Sequence, residues 1–153
     1  ISLNENDAYC IYNNDRSKLN NYGLLYNGLV LIDPRGISVP DGWRLPEKND
    51  WEKLFDELGG SEIAGMHMKI KSADNFDNKG TNSSGFSAFA SGHRLGYMGD
   101  IRNGSFAAEG VFARFWVAKT SFHSIHLGNS NDKAFYSGGG VFDGTASIRL
   151  IKN

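Results

Sequence analysis

His67, His93, His123 and His126, the single Cys10, and a ring-bearing stretch near the carboxyl end are the groups through which this 153-residue chain could do chemistry. Metal ligation, nucleophilic or acid–base catalysis, and non-covalent recognition are the chemistries open to them. His123 and His126 stand three apart in "SFHSIHL", a spacing that suits zinc on a helix. The segment instead reads as loop and strand, where positions three apart point to opposite faces. No metal site is expected there. His67 and His93 are isolated in framework-like surroundings and read as hydrogen-bonded structural imidazoles. "DNFDNKG" lacks the alternating acids of an EF-hand loop. Cys10, in "AYCIYNN", has neither an adjacent base nor a second Cys to pair with, so a buried thiol is expected.

Catalytic patterns are missing as well. The chain has no Gly-x-Ser-x-Gly elbow, phosphate loop, dinucleotide fingerprint or Cys-His arrangement. Asp74 and Asp77 could meet other acids in space, against which stands the plainer reading of a solvated loop. The expectation is a non-enzyme with no catalytic residue, no metal and no cofactor.

Recognition has more support. Residues 120–145, "TSFHSIHLGNSNDKAFYSGGGVFDGT", mix Phe, Tyr and His with Ser, Asn, Asp and Gly. Rings give contact area at low entropic cost, and small polar side chains adapt their hydrogen bonds. The alternative is a Gly-rich surface loop whose aromatics fold back onto the domain.

The elements that must position these groups come next. Sixteen basic and seventeen acidic residues give a net charge of -1 with no cationic block, which argues against nucleic acid as partner. Nineteen Gly, 12% aromatics and three Pro point to tight turns joined to aromatic packing, a β-heavy chemistry. No stretch approaches the roughly 20 apolar residues of a membrane span. The length fits one domain over 1–153. The start at Ile1, with neither Met nor leader, reads as a processed product whose N-terminal targeting or linker segment is missing.

In "VPDGWRLPEKNDWEKLFDELGG", Trp51, Leu54, Phe55 and Leu58 fall at i, i+3, i+4 and i+7, one apolar stripe on a helix that Gly59 and Gly60 stop. Glu47 stands where Ser, Thr or Asp would cap better. "SEIAGMHMKIK" predicts a second, shorter helix capped by Ser61, with Ile63, Met66 and Ile70 inward. Before these, residues 8–32 read as two short extended segments around an Asn/Asp-rich turn. Beyond residue 72, segments recur about every dozen residues with Gly, Asn and Ser between them, favouring antiparallel strands over a β-α-β array. The fold class is α+β.

"YNNDRSKLNNYGLLYN", "VPDGWRLPEKNDWEKLFDELGG", "IAGMHMKIKS", "GTNSSGFSAFASGHR", "ARFWVAKT" and "ASIRLIK" occur in the order seen in the Fibrobacter succinogenes major paralogous domain, which the chain resembles along nearly its whole length. That family belongs to the C-type lectin-like superfamily. The resemblance implies two short helices packed on two small antiparallel sheets, chain ends brought together, and a long loop region exposed as the ligand surface. Trp43, Trp51, Leu54 and Phe55 then read as core, Gly85, Phe86 and Phe89 as a turn followed by inward aromatics, and Arg94 as partner to a framework acid. Departures from the family pattern are His93 for a usual Tyr, Val117-Ala118-Lys119 where two Ser commonly follow the Trp, and Leu150 for a frequent Cys. The Glu-Pro-Asn or Gln-Pro-Asp and Trp-Asn-Asp signatures of calcium-dependent sugar binding are missing, with only a faint echo in "GNSND". The reactive Cys residues of formylglycine-generating relatives are missing too.

Some C-type lectin-like proteins are targets of diversity-generating retroelements, which randomise Asn codons near the gene's end. Phe122, His123, His126, Asn129, Asn131, Phe135, Tyr136 and Phe142 occupy the equivalent region and are the expected ligand-binding residues, with Trp116 as the strand residue beneath them. The expected function is an adhesin or receptor-binding module on a cell or virion surface, lipid-anchored where a missing N-terminal segment supplies the anchor. Its partner would be a protein or glycan on another cell or virion. The alternatives are a structural subunit of a fimbria, surface lipoprotein or phage tail, and an enzyme related to formylglycine-generating proteins.

Overall fold

The computed structural model describes residues 9–32, 37–71, 76, 80–97, 100–138 and 144–153, with backbone alone at 96–97 and 100–103. Its architecture is α+β, as expected. Among the described residues, helices α1 (Leu19–Tyr22), α2 (Lys48–Glu57) and α3 (Ser61–Met68) accompany ten strands. The strands are β1 (Tyr9–Cys10), β2 (Leu25–Asn27), β3 (Trp43–Arg44), β4 (Ser91–Tyr97), β5 (Asp100–Glu109), β6 (Phe112–Trp116), β7 (Ser124–Gly128), β8 (Ala134–Ser137), β9 (Thr145–Ala146) and β10 (Ile151–Lys152). Among the described residues they form four antiparallel sheets, ordered β1-β2-β9, β10-β3, β4-β5 and β6-β7-β8. The resemblance implied two. Since β1 and β9 flank β2, early and late parts of the chain meet as it implied. The second of the two extended segments expected before residue 32 is shorter than its apolar run, because Gly28–Leu31 turns into a 3-10 helix.

The helical stripe of α2 does what its spacing predicts. Trp51 and Phe55 are buried in the main core, and Leu54 and Leu58 pack against it. Its start is better capped than the residue types suggested. The Asp50 carboxylate accepts the Glu47 N–H at 2.8 Å and both arms of the Arg44 guanidinium at 2.5 and 2.8 Å. Arg44 and the Glu47 N–H hold the Asp50 carboxyl at about 2, well below the usual carboxylate range. The Trp-Arg-Leu-Pro turn is thereby tied to the first turn of α2, while the Glu47 side chain pairs with Lys119 at 2.6 Å.

Two sequence expectations need correcting. Trp43 is 41% exposed, because it lies on the two-stranded edge ribbon β3-β10 and not in the core. Helix α3 is capped by Gly60, not by Ser61, and it buries Ala64, Gly65 and Met68 while Ile63 stays exposed. The reason is a close backbone approach. A Cβ on Gly65 would lie 2.2 Å from the Lys133 carbonyl oxygen and 2.7 Å from that of Asp132. Only a small-residue face lets α3 come this near the strand-entry backbone, and that requirement overrides the larger apolar side chains.

The core lies between α2 and α3 and the inward face of β6-β7-β8, where Ala113, Phe115, Ile125, Leu127 and Ala134 are buried. Phe86 follows the Gly85 turn (φ +71°) and packs on both Trp51 and Phe115, centroids 5.9 and 5.1 Å away. Cys10 is buried as expected, in a second cluster with Tyr12 and Leu25, and burial raises its thiol pKa. Among the described residues no helix is long and apolar enough to cross a membrane.

Candidate ligand-binding face

Residues 124–137 form the hairpin β7-β8, its strands lying where the sequence segments "SIHL" and "KAFY" suggested them. The segment contains alternating side chains, so each strand sends one set inward and one outward. Arg114 stands opposite His126, and His126 opposite Phe135. These three share the outward face with Phe112, while Ile125 and Tyr136 share the inward one.

The expected site residues are therefore divided. On the outward face, His126 lies near-parallel to Phe112, centroids 5.8 Å apart and planes at 12°. On its other side it meets Phe135 at 5.2 Å. From β4, His93 stacks on the far side of the series against Phe112, at 5.0 Å and 13°. Four rings thus run from β4 across β6 and β7 to β8, and Phe135 at the end is 44% exposed. His93 and Phe112 were not among the site residues expected from sequence. The sequence signal at His93 was its substitution for the family's usual Tyr, another ring at the same place.

His123 and Tyr136 form a separate pair, stacked at 5.0 Å and 20°. Tyr136 packs against the main core and lies under Lys48, 5.4 Å from the ring centre. It lines a groove of about 320 Å³ whose other walls include Trp51, Glu52, Asp56 and Lys133. Opposite sides for His123 and His126 are what an extended chain requires. Phe122 sits in the turn before β7 with φ +57°, half-buried. Asn129 and Asn131 belong to the β7-β8 turn, where the Asn131 side-chain oxygen accepts the Lys133 N–H at 3.0 Å. Phe142, Asp74 and Asp77 lie outside the described residues.

The turn is fastened from beneath. Lys69, with no exposed surface, donates through Nζ to the carbonyls of Gly128 at 2.9 Å and Asn131 at 2.6 Å. Met66 N–H donates to the Asp132 carbonyl at 3.0 Å. Trp116 is buried and donates its indole N–H to the Tyr26 carbonyl at 2.8 Å, a strand residue supporting the sheet as expected. These anchors hold the outward ladder without drawing on its own rings.

Electrostatically the outward face carries one cation, Arg114, among half-buried rings. Burial, then the neighbouring Arg114 charge, lowers the His93 pKa to about 4. The same causes, with His93 added, lower that of His126 to about 4. Both imidazoles are neutral at physiological pH. The Ser124 hydroxyl meets His126 Nε2 at 3.0 Å. His67 is a hydrogen-bonded structural imidazole, as expected, with Nδ1 2.6 Å from the Ser83 hydroxyl. His93 is buried too, but its Nδ1 has no partner among the described residues. No group of three or more His, Cys, Asp or Glu among the described residues could hold a metal ion.

Comparison with known proteins yields one match and two blanks. The model of the Fibrobacter succinogenes major domain matches residues 2–152. No curated protein and no solved structure matches the chain.

Proposed function

The chain belongs to the Fibrobacter succinogenes major domain family, and from that premise we propose that it is a non-enzymatic ligand-binding module with a C-type lectin-like fold. Its binding face is the outward side of β6-β7-β8, offered to a protein or glycan on another cell or virion surface. The domain itself works outside the cell, on a cell or virion surface. The observation that carries this reading is the His93–Phe112–His126–Phe135 ring series, which ends in a Phe135 side chain 44% exposed.

Rings already held in place by their neighbours lose little freedom when a partner covers them, so more of the contact energy appears as affinity. An aromatic at the exposed end supplies the flat apolar area on which sugar rings and protein side chains both rest. Strands position the face more firmly than a loop would. A glycan array and a surface-protein array, probed with the wild-type domain and with Phe135→Ala, test the reading. Loss of the array signal in a variant that remains folded supports it, and an unchanged signal sinks it.

A further inference from the structure

At the centre of the ring series lies a charge without a counter-charge among the described residues. Arg114 extends along the outward face with its guanidinium carbon 5.5 Å from the Phe112 ring centre. Its Nε is buried and has no hydrogen-bond partner among the described residues, and no carboxylate among them pairs with it. Burial lowers its pKa. The flanking groups add no negative charge: His93 and His126 are neutral imidazoles, and Ser124 is a neutral hydroxyl. His93, only 7% exposed, also leaves its Nδ1 unpartnered.

A half-buried cation lacking both a counter-charge and a full set of acceptors is costly, and the cost is recovered when an anion arrives. Guanidinium edges take planar oxyanions in a two-bond fork, which the two terminal nitrogens can form together. The walls set the shape. His93 and Phe112 are 13° from parallel, and Phe112 and His126 are 12° from parallel, so flat groups fit the surface better than tetrahedral ones.

We propose that the Arg114 region of this face is a subsite for a carboxylate carried on a flat or apolar group. Arg114 is the charge partner, His93 and His126 are neutral hydrogen-bonding neighbours, and Phe112 and Phe135 are the surfaces against which the carrier rests. The proposal rests on the outward face being the binding surface. It adds that the ligand is acidic, such as an acidic side chain, a chain terminus or an acidic sugar.

The probes are benzoate and its neutral counterpart benzamide, titrated into the wild-type domain at about pH 7 while the Arg114 Nε–Hε and the two imidazoles are followed by nuclear magnetic resonance. Benzoate should move the Arg114 signal and bind at least about tenfold more tightly than benzamide. By reciprocity, saturating benzoate should raise the titration midpoint of His126. Arg114→Gln should lose the preference for benzoate, and Arg114→Lys should keep part of it. Equal binding of the two probes, or an Arg114 signal that benzoate does not move, would overturn the proposal even if Arg114→Gln failed to fold. The outcome is separable from that of the arrays. Array binding lost in Phe135→Ala, with no response to benzoate, would keep the face and refute its acidic ligand.

Discussion

His126 is stacked on Phe112 and stands directly across the strand pair from Arg114. An imidazole so placed remains neutral because its partial burial disfavours the charged form and protonation would add a second positive charge beside that of Arg114. The stack therefore links the charge state of the face to its packing.

That link sets the pH dependence of stability. His93 and His126 both have folded-state pKa values of about 4, below the ordinary 6.5. Between these values the unfolded chain binds more protons than the folded one, so stability is full above about pH 6.5 and falls as pH drops towards about 4. The loss should be on the order of 2 to 3 kcal/mol for each imidazole. Urea unfolding at a series of pH values should show the decline, and the His93→Gln/His126→Gln double variant should flatten it. A wild-type curve level across this window would contradict the described environment of both rings.

Lys69 should be a stability residue and not a ligand contact. Its removal in Lys69→Met leaves the Gly128 and Asn131 carbonyls without their donor beneath the β7-β8 turn. Orphaned buried acceptors cost roughly 1–3 kcal/mol, so a drop of about 2 kcal/mol is expected in denaturant midpoint measurements. Hydrogen exchange should also quicken at residues 128–133. No loss of stability would mean that the turn is held by other contacts.

The close approach of α3 to the chain at 132–133 gives a sharper mutational contrast. Gly65→Ala places a methyl 2.2 Å from backbone that cannot swing away, whereas a Cβ on Gly128 meets only the Asn131 side-chain nitrogen at 3.6 Å. Thermal unfolding should show a loss of about 2 kcal/mol for the first and well under about 1 kcal/mol for the second. Equal effects would show that α3 has room to move.

Much of the frame was legible in the sequence. The Trp51-Leu54-Phe55-Leu58 stripe announced α2, because helical burial imposes its period directly on residue type. The strand segments after residue 72 were legible from their spacing for a similar reason. What escaped was whatever depends on contacts distant in sequence. The capping role of Asp50 needed Arg44 to be placed, the inward face of α3 was decided by backbone 67 positions beyond Gly65 at Asp132, and the partner of Phe112 was His93 on another sheet. Within the binding segment, the ring composition was informative but its division was not. Alternation in β7 and β8 sends His126 and Phe135 one way and Tyr136 the other, which grouping all the rings of the segment into one ligand-binding set did not separate.

The same alternation sharpens the expectation, drawn from the resemblance to retroelement-targeted C-type lectin-like proteins, that this region varies. Codon changes between isolates should fall on outward positions such as 126 and 135 and on the turn at 129 and 131. Ile125, Leu127 and Ala134, with no exposed surface, should stay apolar. Sequencing the locus from several isolates checks this. Changes spread evenly over inward and outward positions would remove the idea of a selected variable face.

The most direct measurement sets one side of the sheet against the other on the same array ligand. His126→Ala/Phe135→Ala removes two outward rings, and His123→Ala/Tyr136→Ala removes the inward pair. With both double variants shown to be folded, the account predicts that the outward variant loses binding by at least about tenfold while the inward one retains it. Binding lost only in the inward variant, or kept in both, would contradict it.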